Sequence, residues 1–303
     1  MPRRSNKKTK SSTPKTSPIS TAIASQPTNV PPTEGFLYFL FPRSNDLEID
    51  ASSINRVKEA VKNSTVKKLY LIVDSPGGDS YSAVKIIRIL RSKFSEIIGL
   101  VPFRAMSAAT LMLLGANEIY MGEESQLGPL DLPLEHPIDG SIISSLDVVE
   151  TLSLLSSAMM SNASSVYANL RLGLENSETI GKTKAIELAL KSSVDLVKPI
   201  AAKIDPYHRQ KAFRKLKIAH WYAYDLLRTG MMKGRSSQSW KTARHFVYGF
   251  PDHSYAIFRE EAKESLHLTI KNSGNYSGWD SVCTDTEAKL LSSSTQIIDY
   301  YEK

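Results

Sequence analysis

Two short stretches hold the residue types that acyl-transfer chemistry needs. In Asp74-Ser75-Pro76-Gly77-Gly78-Asp79, adjacent glycines can turn their N–H groups outward with no Cβ in the way, as an oxyanion cradle requires. In Arg104-Ala105-Met106-Ser107-Ala108-Ala109-Thr110, a hydroxyl opens an apolar helical run, and its small neighbours leave room for a substrate backbone. A helix N-terminus favours developing negative charge, so Ser107 is a candidate nucleophile as well as an ordinary helix cap. Together the two stretches suit attack on a carbonyl and stabilisation of the tetrahedral oxyanion.

The surrounding pattern places both at strand ends. Gly35–Phe41 reads as a buried strand, and Asp50-Ala-Ser-Ser caps a helix with Ile54, Val57 and Val61 on one face. Lys67–Asp74 has the continuous apolar, β-branched character of a strand covered on both sides, and it breaks at the glycine corner. A helix follows with Val84, Ile87 and Leu90 in register. The pattern then repeats as strand Ile97–Val101, turn Pro102–Met106, helix Ser107–Ala116 and strand Glu118–Gly122. Such alternation predicts a layered α/β core with parallel pairing, where ligands bind at the carboxyl ends of strands. After Pro137 the pattern turns helical over 142–172, 183–204 and 208–227, with no strand expected. His245–Ile270 reads as a loop, a short helix and a strand. The predicted organisation is a disordered basic tail (1–33), a catalytic core (34–140), a helical region packed on it (141–235), and a mixed segment (236–303) completing the same domain.

In order, SPGG, AMSAAT, ANEIYMG and LGPLD resemble the Clp-protease/crotonase fold. Within it, the chain is similar to the serine dehydrogenase proteinase family, related to the signal peptide peptidases. The resemblance implies a layered core of repeated strand-strand-helix units with an added helical region. It implies an intracellular, cytoplasmic serine peptidase independent of ATP, acting on peptide or protein substrates through an acyl-enzyme on Ser107, and a homo-oligomer. Carried over residue by residue, it gives the oxyanion hole to the N–H groups of Gly77 and Ala108, with Gly78 nearby. The general base stays open. Clp subunits place a histidine about 25 residues past the serine, where this chain reads Gln126-Leu-Gly-Pro-Leu-Asp, and His136 follows only later. Signal peptide peptidases use a lysine farther on, and the first available here are Lys182 and Lys184. His253, beside Asp252, is a further candidate. A catalytically degenerate scaffold, or a crotonase-type enzyme holding a thioester enolate in the same cradle, are the alternatives.

Composition narrows the rest. With 41% apolar residues in 303, the chain builds a substantial core and is not disordered throughout. Its net charge of +7 hints at a polyanion partner, yet residues 1–33 carry six cations and no acid, so the body is near neutral and no nucleic-acid partner is expected. Lys211–Arg228 mixes basic and aromatic residues, but Leu216, Ala219, Ala223 and Leu226 recur as an amphipathic helix docked on a core. No histidine pair has metal-ligand spacing, Cys283 stands alone, and Gly181-Lys182-Thr183 lacks the upstream glycine of a phosphate loop. Neither a metal nor any other cofactor is expected, nor is membrane insertion.

Overall fold

The computed structural model describes residues 32–43, 47–137, 139–173 and 181–303. The expected basic tail lies outside these as far as residue 31. The core opens with β1 (Glu34–Leu40), α1 (Ala51–Ala60), β2 (Lys68–Asp74), α2 (Ser80–Lys93), β3 (Glu96–Val101), β4 (Arg104–Ala105), α3 (Ala108–Leu113) and β5 (Glu118–Met121). Next come β6 (Gln126–Leu127), β7 (Pro133–Glu135), β8 (Ile142–Ser144), α4 (Ser145–Gly173), α5 (Lys182–Ala201), α6 (Pro206–Thr229) and α7 (Ser236–Tyr248). The chain ends with α8 (Arg259–Glu264), β9 (Ile270–Asn272), α9 (Trp279–Ser292) and β10 (Ile297–Glu302).

Six strands form one sheet in the order β10-β1-β2-β3-β5-β9, parallel except where β10 runs antiparallel along β1. Alternate residues of the central strands serve opposite faces. Leu37, Phe39, Leu71 and Val73 join the main core with residues of α1, α2 and α3, whereas Phe36, Tyr38, Tyr70 and Ile72 pack with Val282 of α9. This double coverage is why β2 reads as an unbroken apolar run.

The first two helices start where capping chemistry predicts. Asp50 accepts from Ser53 N at 2.9 Å, and Asp79 accepts from Ser82 N at 2.8 Å. Asp79 directly follows the glycines, so SPGG is the corner that turns β2 into α2.

Three expectations change. The turn before Ser107 contains a strand, β4, paired in parallel with β6 in a two-stranded sheet. The region after Pro137 is not free of strands, because Ile142–Ser144 pairs antiparallel with β7 before Ser145 begins α4. Two adjacent β-branched residues favour extended backbone there. Residues 236–248 form α7, so the loop expected from His245 begins four residues late, after Tyr248. Among the described residues, no helix is long and apolar enough to cross a membrane.

Candidate active site

The two motifs meet through backbone pairing. Ser75 N donates to Arg104 O at 3.0 Å, and Met106 N donates to Ser75 O at 3.0 Å, so the strand end before the glycines lies against the strand that leads into Ser107. A Cβ built on Gly77 would stand 2.9 Å from Ser107 Cβ and 3.4 Å from Ala108 N. Only glycine fits there, and its φ of 112° is one that side chains resist.

Ser107 itself has φ 48° and ψ −115°, sterically costly for a residue with a Cβ. It occupies the cap position of α3 without making the side-chain bond of a cap, and among the described residues its Oγ has no hydrogen-bond partner. The residue is buried, 4% exposed. A capping role would have paired this oxygen. A strained, unpaired hydroxyl is instead what strand-to-helix corners present to a substrate.

The three amides named from sequence differ in availability. Gly77 N–H donates to Ser75 Oγ at 3.1 Å. Ile49 N bonds to Gly77 O and Asp79 N bonds to Ile49 O, each at 2.7 Å, which turns the N–H of Gly78 away from the Ile49 segment. Among the described residues, neither Gly78 N–H nor Ala108 N–H has an acceptor.

The opposite wall is the Gln126–Asp131 segment. Thr110 Oγ1 donates to Ala105 O at 2.5 Å and accepts from Gly128 N at 2.9 Å, which ties α3, β4 and this segment together. A Cβ on Gly128 would come within 3.0 Å of Ser107 N, so the segment packs directly on the serine. Three residues on, Asp131 is buried, and its Oδ1 lies 2.6 Å from His253 Nδ1 while its Oδ2 accepts from Ser144 Oγ. The loop carrying His253 is fixed to the same segment by the Leu127–Ile257 bridge, and α7, which leads into that loop, by the bond from Leu130 N to Phe246 O. The aspartate bond raises His253 above the ordinary imidazole value against the effect of partial burial, with Asp252 adding to it. Burial pushes the Asp131 carboxyl up, but the bonds from His253 and Ser144 outweigh it and hold the group below its usual range.

The other candidate bases stand elsewhere. Lys182 and Lys184 open α5, both exposed, and Lys184 pairs with Glu187 at 2.9 Å; α5 packs chiefly on α4. His136 pairs with Asp139 at 2.9 Å in the exposed β7–β8 connection. Asp252, the acid beside His253 in sequence, is taken up by Ser254 N at 2.8 Å. Asp131 is the residue that reading by adjacency misses. Its signal is a lone carboxylate inside the apolar run Leu-Gly-Pro-Leu-Asp-Leu-Pro.

Beside the β4–β6 pair opens a cavity of about 1050 Å³, walled by Arg43, Phe103, Arg104, Gln126, Phe258 and Leu290 among others. Ser107 is not part of its wall, but Arg104 precedes it by three residues and Gln126 precedes Gly128 by two. Behind Arg104, the fully buried Asp74 carboxylate lies 3.6 Å from the Arg104 Nε. Burial pushes the pKa of this carboxyl up, opposed by the charges of Arg104 and Arg43.

A mostly parallel sheet with a glycine corner packed against a strained serine has the Clp-protease/crotonase-like fold. Residues 34–159 match the family of ClpP-like SDH-type serine proteinases, and the chain carries that family's fold there. Over 81 residues it is 36% identical to the uncharacterized protein MJ0137 of Methanocaldococcus jannaschii, covering 27% of this chain and 28% of that one. The match thus spans well under half of the curated relative's length. Among solved structures, a 1510-N membrane-bound stomatin-specific protease mutant is similar at 17% identity and a TM-score of 0.29, over 48% of this chain and 66% of its own. An enoyl-CoA hydratase/isomerase from Pseudoalteromonas atlantica T6c is similar at 12% identity and a TM-score of 0.26, over 73% of this chain and 96% of its own.

Proposed function

We propose that the chain is a serine peptidase in which Ser107 attacks, His253 is the general base, Asp131 orients it, and Ala108 and Gly78 hold the oxyanion. The carrying observation is the 2.6 Å Asp131–His253 bond, which occupies Nδ1 and leaves Nε2 as the acceptor on a loop fixed to the segment that packs on Ser107. Neutral His253 takes the Oγ proton as Oγ bonds to the scissile carbonyl carbon, and the carbonyl oxygen becomes the oxyanion. Collapse breaks the C–N bond while Nε2 returns the proton to the departing amine. Water, deprotonated by the same nitrogen, then releases the acyl group as a carboxylic acid and restores Ser107. Gly77 N–H joins the oxyanion hole only if Ser75 Oγ gives it up. The cavity beside β4 and β6 receives a substrate side chain, and the working unit is a homo-oligomer.

A fluorophosphonate probe tests the assignment on the full chain. Wild type labels and Ser107→Ala does not, whereas His253→Ala slows labelling by about 100-fold or more. Lys182→Ala labels as wild type. Equal labelling of Ser107→Ala overturns the nucleophile, and loss in Lys182→Ala but not in His253→Ala transfers the base to the lysine.

A further inference from the structure

We propose that the paired outer faces of α6 and α7 dock on an anionic lipid surface, lying along the bilayer interface and not across it. Charge is the first ground. With histidines neutral, residues 206–249 hold ten Lys/Arg and one acid, Asp225, a net of +9. The whole chain carries +7 and residues 1–33 carry +6, so the remaining residues, 34–205 and 250–303, carry −8. The near-neutral body is therefore strongly polarised. Asp225 is itself engaged by Arg88 at 3.0 Å and Arg228 at 2.6 Å, and among the described residues the other cations of these helices make no ion pair.

Apolar groups at the surface are the second ground. Ala212, Leu216, Ala219 and Ala223 dock α6 on the core, yet Phe213 (42%), Ile218 (49%) and Trp221 (49%) remain exposed, as does Trp240 (41%) on α7. Trp240 contacts Trp221 at 5.4 Å and Tyr224 at 5.3 Å, so the two helices join in a single aromatic patch. Beside it is a hollow of about 370 Å³ lined by Arg214, Lys217, Ile218, Trp221 and Tyr222. Indole rings and aliphatic tips seat at headgroup depth while arginine and lysine meet the anionic charge, which is the division of labour of an interfacial helix.

The same features fit single-stranded nucleic acid less well. Base stacking needs open ring faces, but these rings pack edge to face on one another, and exposed Ile218 and Phe213 would gain nothing in a phosphate groove. A symmetric contact between two such faces would set +9 against +9.

The experiment is co-sedimentation of the purified full chain with phosphatidylcholine vesicles, with and without phosphatidylserine. Binding only to the anionic vesicles is expected, with a blue shift of tryptophan emission and release as ionic strength rises. The double variant Arg214→Glu, Lys217→Glu loses at least about tenfold in partition, and Trp221→Ser weakens binding with helical circular dichroism unchanged. Absent binding, or equal binding to neutral vesicles, overturns the proposal. So does retention of single-stranded DNA without vesicle binding, or a change in self-association produced by the same variants.

Discussion

The Asp131–His253 bond ties pH to both rate and stability. His253 works as a base only when neutral, and its value is raised, so kcat/KM should climb through an acid limb above about pH 6.5, the ordinary imidazole value. Asp131→Asn removes the charge and the acceptor that raise it. The limb then moves to lower pH while the maximal rate falls by roughly 10³- to 10⁴-fold, as when a triad acid loses its charge. A pH–rate profile that keeps its limb in Asp131→Asn would show that another group titrates. For stability the signs differ between partners. The raised imidazole contributes fully below about pH 6.5 and loses its contribution as pH rises through its folded value. The lowered carboxyl contributes fully above about pH 4 and loses its contribution as pH falls. The pair is thus worth most between about pH 4 and 6.5, below the range where the enzyme turns over fastest, and thermal melts across that interval should show a wild-type advantage over Asp131→Asn.

At the level of elements, the glycine corner and the last strand carry separate demands. A Cβ on Gly78 would meet the Ile49 backbone at 2.5 Å, where φ is 131°, so Gly78→Ala must open the Ile49 bridge. It should lower stability by about 1–3 kcal/mol and labelling of Ser107 with it, whereas the exposed Gly181→Ala should change neither. β10 covers the outer edge of β1, whose residues Leu37–Leu40 are nearly all fully buried. Truncation after Ser293 leaves that edge unpaired, and light scattering should show aggregation at concentrations where the full chain stays clear. The central α/β units were legible because the strands are covered on both faces and α1 and α2 begin at the capping aspartates Asp50 and Asp79, so local pattern and tertiary environment agree. β4 and β10 were not: two and six residues long, they owe their strand character to an edge supplied by distant chain. The same holds for the site. Ser107 and the glycines announce themselves through local backbone demands, but the bond from Asp131 to His253 closes 122 residues of sequence, and no local pattern encodes it.

For the whole molecule, the question is whether the helical region leaves it alone in solution. α5 exposes Ile186, Leu188, Leu190, Val194, Leu196 and Ile200, between 36% and 59% each, although the helix already packs on α4. Fully burying such a side chain contributes about 1.5–3 kcal/mol, so half-exposed sets on two copies offer on the order of 10 kcal/mol in gross terms. Association costs roughly 4–15 kcal/mol before any contact is counted, so the two terms nearly cancel. Self-assembly through α5 should therefore be concentration-dependent, not obligate. Sedimentation velocity over a micromolar series should show species heavier than the 33.6 kDa chain growing with concentration. Leu190→Glu with Leu196→Glu should hold the protein at monomer mass without loss of helix, because each charge would otherwise be buried unpaired. A wild type that sediments as a monomer throughout would mean that these side chains are simply solvated, and fluorophosphonate labelling independent of concentration would then place the complete site within one copy.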